Sequence, residues 1–270
     1  MNIIQAILEG ERDPQQLAAL VMPGVKATPD DIAKSLEGNW REELLFLLRQ
    51  HLELYRIYQE KVTACDLQLR KHLQSLGSKV DPLTQPLGPR PKGKKNSRNA
   101  PEFNLRSELY RITGIDWAQI NAIDVLTAQT VIAEAGADLS AFPNEKQFAS
   151  WLGLCPTNAQ SGGKILNRRT RKVVNRASVA LRNAARNLLR SQSYLGAQYR
   201  RLRTRLGAPK AITAMARKLA CLFYRLIKHG QPYVDKGTEY YEAKYRDQQI
   251  RSLTKRAQKL GLELVIPKTA

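Results

Sequence analysis

The sequence predicts an all-α protein in three parts. These are a helical and coiled-coil region over 1–80, a basic, proline-rich linker over 81–101 and a compact helical domain over 102–270. Apolar residues recur at spacings of three and four, no strand-like alternation of useful length is present, and Gly, Pro and capping residues separate the helical segments. Hydrophobic residues make up 43% of the chain, which is enough for a packed core.

The N-terminal region is predicted to hold short helices and then one long helix. In the short helices Thr28 or Asp30 could act as an N-cap. The long helix should run from Glu42 to Leu76, since no Gly or Pro interrupts it, and its apolar stripe consists of Leu48, Leu52, Tyr55, Tyr58, Val62, Cys65, Leu69, Leu73 and Leu76. The sequence leaves two interpretations of the stripe open. It could form a coiled coil that buries Leu48, Leu52, Val62, Leu69 and Leu73 between chains, or it could pack on residues 1–40.

The first half of the C-terminal domain is predicted to form a helix-hairpin-helix-like element. Helices are expected from Glu102 to Ile112 and from Leu126 to Ala135, and Asn144 could cap a third that ends at Gly153. The turns between the first two are Thr113-Gly114-Ile115-Asp116 and Asn121-Ala122-Ile123-Asp124. A helix-hairpin-helix offers backbone N–H groups to a phosphate at a helix N-terminus.

The second half is predicted to hold four more helices. In the first, from Lys172 to Gln192, five basic residues fall within an arc of about 120°: Lys172, Arg176, Arg182, Arg186 and Arg190. The opposite side consists of Val173, Val174, Ala177, Ala180, Leu181, Ala184, Ala185 and Leu188. A basic helix ended by Gly207, an apolar core helix from Pro209 to Lys228 and a charged helix from Tyr240 to Leu260 should follow.

The distribution of charge points to a polyanionic partner. The chain carries 44 Lys and Arg against 24 Asp and Glu, and residues 161–230 hold 18 basic residues and no acidic one. An ordinary solvated surface mixes both signs, so this segment predicts binding to nucleic acid.

Several other classes of protein are excluded by the sequence. No apolar run approaches the length of a membrane span, and the N-terminus lacks the pattern of a signal peptide. The three cysteines and three histidines are scattered, and the acidic residues form no cluster, so no metal site, zinc motif or disulfide framework is predicted. We expect a cytoplasmic protein.

One short motif could carry chemistry. Ser161-Gly162-Gly163-Lys164 precedes the first basic helix, and a serine followed by two glycines predicts an exposed, conformationally free hydroxyl. With Lys164, Arg168, Arg169 and Arg171 nearby, a phosphodiester could be held and its developing charge stabilised. The same pattern also fits an ordinary loop.

The chain resembles transposases of the insertion-sequence 110 family. The resemblance rests on Trp151-Leu152-Gly153-Leu154-Cys155-Pro156, Ser161-Gly162-Gly163-Lys164, Asn175-Arg176, Ala180-Leu181-Arg182-Asn183-Ala184-Ala185, Leu206 to Ala214 and Gly10 to Pro14. It implies a RuvC-like domain with an Asp-Glu-Asp-Asp metal site, then a coiled coil, then a serine-bearing domain. By that motif Ser161 would be the nucleophile that joins covalently to DNA.

The resemblance also sets expectations for this particular chain. Because it starts where relatives are past their metal-binding domain, we expect a truncated copy, with Mg²⁺ needed only by the missing domain. Implied partners are DNA, a guide (bridge) RNA and a second copy or full-length transposase, in a bacterial cytoplasm at the nucleoid. Ala122 stands where relatives tend to have glycine, which would weaken a contact to the DNA backbone.

The predicted site therefore has one nucleophile and a set of basic residues. The nucleophile is Ser161, and the predicted nucleic-acid-binding residues are Lys164, Arg168, Arg169, Arg171, Lys172, Arg176, Arg182, Arg186 and Arg190. The competing interpretation is a non-catalytic nucleic-acid-binding or dimerising protein that competes with intact transposase.

Overall fold

A computed structural model describes residues 2–91, 99–157, 159–167, 169–230 and 233–263. Within these residues the chain forms α-helices numbered α1 to α11, two short 3₁₀ helices and one two-stranded antiparallel sheet. The predicted all-α fold class is confirmed. The chain divides into two compact units, Met1–Leu69 and Arg70–Ala270. The lysines and arginine predicted in the linker at 92–98 lie outside the described residues.

The helices range from short ones at the N-terminus to the long α4, and the strands are short. They are α1 (Asn2–Leu8), α2 (Pro14–Ala19), α3 (Pro29–Ser35), α4 (Glu42–Ser75), α5 (Leu105–Thr113), α6 (Val125–Ala135), α7 (Glu145–Trp151), β1 (Ala159–Ser161), β2 (Lys164–Asn167), α8 (Arg176–Asn187), α9 (Tyr194–Leu206), α10 (Ala208–His229) and α11 (Gly237–Lys259). The 3₁₀ helices are Trp117–Gln119 and Leu188–Arg190.

The first unit contains α1 to α3 and most of α4. Thr28 is the N-cap of α3, where its Oγ1 accepts the Asp31 N–H at 3.2 Å. Leu52 is only 6% exposed, which corrects its predicted place between two chains. Arg56 lies one turn further along the same face of α4 and donates to Gln5 of α1, so this part of the stripe packs inside the unit. Other apolar positions of α4 are exposed, among them Tyr55, Tyr58 and Val62.

The second unit is built around α10. The sequence predicted this helix as the core of its domain, and its residues Ala211, Met215, Leu219 and Phe223 are fully buried. The helices α7, α8 and α9 pack on it, and α6 packs on α8. The ring of Trp117 stacks on Phe223 with the centroids 4.3 Å apart. Glycines in left-handed or extended positive-φ geometry flank α10 at 207 and 230, as expected from the sequence.

Two local predictions were wrong in this unit. No strand was predicted, but β1 and β2 form a hairpin, because Gly162 and Gly163 have φ values of 56° and 74° and allow a two-residue turn. The helix predicted from Lys172 begins only at Arg176, because the Asn175 side chain caps it by accepting the Ser178 N–H at 3.1 Å.

Because α8 is shorter than predicted, some residues expected in the helix lie outside it. Val173 and Val174 were expected on the packed face, but they precede the helix and are exposed. The α-helix also ends at Asn187, and Arg190 closes a 3₁₀ turn. Most of the predicted apolar face is confirmed, since Ala177, Leu181, Ala184, Ala185 and Leu188 are buried, while Ala180 is half-buried.

Candidate nucleic-acid interface

Ser161 lies at the tip of the β1–β2 hairpin. It is the last residue of β1, and Lys164, the first residue of β2, is its direct partner across the strands. Paired residues of an antiparallel ladder project on the same face, with Cβ atoms about 4.5–5.5 Å apart. Both residues are exposed. The hydroxyl is therefore accessible, although it sits on a defined turn and not on the free loop that the sequence predicted.

The base of the hairpin is tied to the end of α7. Pro156 and Thr170 form a bridge, and the Thr157 N–H donates to the Arg169 carbonyl at 3.1 Å. Arg171 Nη2 donates to the carbonyl of Ser150 in α7 at 2.8 Å. This anchoring gives the serine a fixed support.

Gly153 allows the chain that follows the hairpin to approach α7 closely. Its φ is +64°, and a Cβ at this position would lie 2.8 Å from Cγ2 of Val173 and 3.2 Å from the Arg171 carbonyl. Only glycine fits both the backbone angle and the space. Gly153 belongs to the segment Trp151 to Pro156 that carries the resemblance. The close packing at the base of the hairpin requires a glycine there.

The predicted stripe on α8 divides into engaged and unengaged side chains. Arg176 donates through Nε to Glu134 Oε1 of α6 at 2.5 Å, and Arg182 Nη1 donates to Thr213 Oγ1 of α10 at 2.8 Å. Arg186 and Arg190 are exposed, and among the described residues neither forms an ion pair. Among the arginines of the stripe, these two have no side-chain partner within the part of the chain that the structure describes and are available to phosphates.

The remaining predicted residues lie ahead of α8. Lys164 and Arg171 belong to the hairpin and its base, Arg169 is exposed at that base, and Lys172 is exposed on the segment that leads to α8. Arg168 lies outside the described residues. The hairpin and the stripe are thus joined by one short stretch of chain that contains no carboxylate.

The two turns of the predicted helix-hairpin-helix-like element share one backbone feature. Gly114 and Ala122 have nearly equal φ values, 73° and 72°, so alanine adopts the left-handed conformation usual for glycine. The Asp124 carboxylate accepts the Thr127 N–H at 2.8 Å. A carboxylate of the protein itself therefore occupies the N-terminus of α6, where the helix-hairpin-helix prediction placed a phosphate.

The basic residues that line a cavity beside α10 were not predicted from the sequence. Arg217, Lys218, Lys236 and Lys244 line it together with three tyrosines. The alternation of Tyr233, Lys236, Tyr240 and Lys244 was the available signal, since nucleic-acid sites interleave basic and aromatic side chains.

The described residues also bear on metals and membranes. No group of three or more His, Cys, Asp or Glu side chains in that part of the chain is placed to hold a metal ion. The Mg²⁺ implied by the resemblance therefore has no fitting ligand set there. None of the described helices combines the length and apolar character needed to cross a membrane.

Comparison with known proteins gives one match. Residues 117–200 match the family model described as Transposase IS116/IS110/IS902 family. No curated protein and no solved structure matches the chain. The matched segment runs from Trp117 through the serine hairpin to α9, and it confirms the resemblance to insertion-sequence 110 family transposases.

Proposed function

We propose that this protein acts as an insertion-sequence transposase component that binds DNA and uses Ser161 as a nucleophile. The observation that carries the proposal is the pairing of Ser161 with Lys164 at an exposed hairpin tip, inside the segment that matches the transposase family. Residues 161–230 are strongly positive and contain no Asp or Glu, which supports contact with phosphates.

The chemistry would be a transesterification. Ser161 Oγ attacks a phosphorus of DNA, and a bond between phosphorus and a sugar oxygen breaks as the serine–phosphate bond forms. The hydroxyl proton passes to a base, and the departing sugar oxygen accepts a proton. Lys164 offsets the charge that develops on the phosphate oxygens. Because residues 161–230 contain no carboxylate, a carboxylate base would have to come from elsewhere.

A guide RNA and a longer transposase partner belong to the same proposal, by resemblance. The rival function is a non-catalytic nucleic-acid-binding protein that dimerises and competes with intact transposase. The exposed apolar side chains of α4, including Tyr58 and Val62, support this rival function, because they offer a surface for another chain.

The two functions are separated by a covalent adduct. The wild type is incubated with element-end DNA, with and without a full-length relative, and denatured. We expect a protein–DNA adduct that Ser161→Ala abolishes and that Ser252→Ala, a change at an exposed serine of α11, leaves intact. Adduct only with the relative present would show that the serine is sound and needs a missing domain. Tight binding with no adduct under either condition would favour the rival.

Contact between α8 and the DNA backbone is tested by the dependence of affinity on salt. Each phosphate contact contributes about 0.9 to the slope of log K against log salt, so Arg186→Ala/Arg190→Ala should reduce the slope for duplex DNA by about 1.8. Arg182 is left in place because it bonds to α10. The control, Arg251→Ala/Arg256→Ala on α11, removes the same charge and should change the slope much less. Equal changes in both variants would show that α8 makes no specific contact.

A further inference from the structure

A cavity of about 600 Å³ opens between α10, the start of α9 and the start of α11. Five basic side chains and only two acidic ones line it. None of these residues belongs to the hairpin or to the α8 stripe, so the cavity is a separate feature of the second unit. Its volume lies within the range of small-molecule sites, about 300–1,000 Å³.

The acidic side chains of the cavity are already engaged. Glu145 receives two hydrogen bonds from Arg225, at 2.5 and 2.8 Å, and these bonds lower the pKa of Glu145. Asp235 accepts the Asn121 side chain at 2.8 Å and the backbone N–H groups of Tyr194 and Gly237 at 3.0 and 3.1 Å. The charge of Glu145 is therefore paired with Arg225, whereas Asp235 is bonded to neutral groups and keeps its negative charge in the lining.

The other four cations of the cavity outnumber the one remaining carboxylate, Asp235. Among the described residues, Arg217, Lys218, Lys236 and Lys244 form no ion pair. Burial lowers the pKa of Lys218, and the nearby charges of Lys244 and Arg225 lower it further. Like charges brought together in a partly desolvated cavity repel each other, and a bound anion would relieve that repulsion.

The walls between these cations are aromatic. Lys218 Nζ lies 4.9 Å from the ring centre of Tyr194, and Lys236 Nζ lies 4.7 Å from that of Tyr240. The two rings are 6.3 Å apart, and Tyr240 remains 44% exposed. Lys218 also donates a hydrogen bond to Gln198. A partly exposed ring beside ammonium groups that form no ion pair is a combination suited to a nucleotide, because the base stacks while the phosphate meets the charge.

We propose that this cavity binds an unpaired nucleotide of a nucleic-acid strand. The phosphate would lie among Lys218, Lys236 and Lys244, and the base against Tyr240. A duplex cannot place a base against Tyr240 in this way, because its bases are paired and stacked on each other. The inference rests on the proposed function only in that both require nucleic acid as a partner.

The test compares single-stranded and double-stranded probes. Labelled DNA and RNA single strands of about 12 nucleotides, and a blunt DNA duplex of the same sequence, are titrated against wild type and variants. Lys236→Gln/Lys244→Gln changes two exposed residues, so the fold should persist. We expect single-strand affinity to fall by about tenfold or more, with a salt slope lower by about 1.4, and duplex affinity to change little.

Matched controls make the result specific. Lys255→Gln/Lys259→Gln removes the same charge from exposed positions further along α11 and should affect both kinds of probe only slightly. Lys218→Gln should repeat the selective loss. A loss with either the DNA or the RNA strand supports the cavity and identifies the sugar it accepts. Displacement of the labelled strand by dTMP, but not by equimolar inorganic phosphate, would support a role for the base.

Three outcomes would overturn the inference: no single-strand binding by the wild type, equal loss in cavity and control variants, or equal loss for duplex and single strand. Displacement by inorganic phosphate as strong as that by dTMP would also overturn it, by leaving a simple anion site. Selective single-strand loss without any Ser161 adduct would instead refute the proposed function and leave the cavity intact.

Discussion

Ala122 shows how one backbone angle affects stability. At φ 72° its Cβ is strained, and the left-handed conformation costs a non-glycine residue about 1–2 kcal/mol, whereas glycine adds flexibility to the unfolded chain. We therefore expect Ala122→Gly to stabilise the protein by about 0.5–1 kcal/mol in urea unfolding. Ala180→Gly, inside α8, should destabilise it by about 1 kcal/mol and serves as the control. A less stable Ala122→Gly variant would contradict this account.

At the scale of elements, Arg111 of α5 closes the C-terminal end of α4. Its guanidinium donates to the carbonyls of Leu73 and Leu76 at 2.6 and 3.0 Å and to Ser78 Oγ at 2.5 Å. A cation at this end also interacts favourably with the helix dipole. Arg111→Ala should lower the free energy of unfolding by about 1.5–3 kcal/mol.

Two further variants test this closure of α4. Arg111→Lys should recover only part of the loss, because an ammonium lacks the planar fork that spans two carbonyls. Arg70→Ala, at an exposed position of α4, should have almost no effect in the same denaturant titration. If Arg70→Ala and Arg111→Ala cost the same, the closure contributes nothing specific.

At the scale of the whole molecule, we predict a dimer or larger assembly through α4. Tyr58 and Val62 occupy neighbouring d and a positions of a heptad and are 67% and 53% exposed, so Tyr58→Asp/Val62→Asp should yield monomers in sedimentation equilibrium. Ala64→Asp/Leu67→Asp adds the same charge on the opposite face and should leave the mass unchanged. A monomeric wild type, or an unchanged mass for the first variant, would refute the assembly.

The sequence was most informative where local chemistry decides the structure. Glycine and proline bounded α10, and Asn144 and Thr28 capped helices as expected, because such signals act within a few residues. Strands of three and four residues are too short to show alternation, so only the Gly162-Gly163 pair could have predicted the hairpin.

Contacts between distant segments were beyond the reach of the sequence. Arg176 fitted the helical stripe, but its partner Glu134 lies 42 residues away, and only the packing of α6 on α8 brings them together. Leu52 is buried, whereas Tyr55 and Tyr58 of the same stripe are exposed. Helical periodicity identifies which side chains share a face, and tertiary packing decides which of them stay exposed.

The stacking of Trp117 on Phe223 gives the second unit an optical signature of its own. The chain has three tryptophans, and Trp40 is the one in the first unit, where Arg12 lies over its ring. Trp117 is 1% exposed, so its emission depends on an intact α10 core. In a Trp40→Phe background, fluorescence excited selectively at tryptophan arises from Trp117 and Trp151 alone. Melting of the second unit can then be recorded without a label, separately from that of the N-terminal helices.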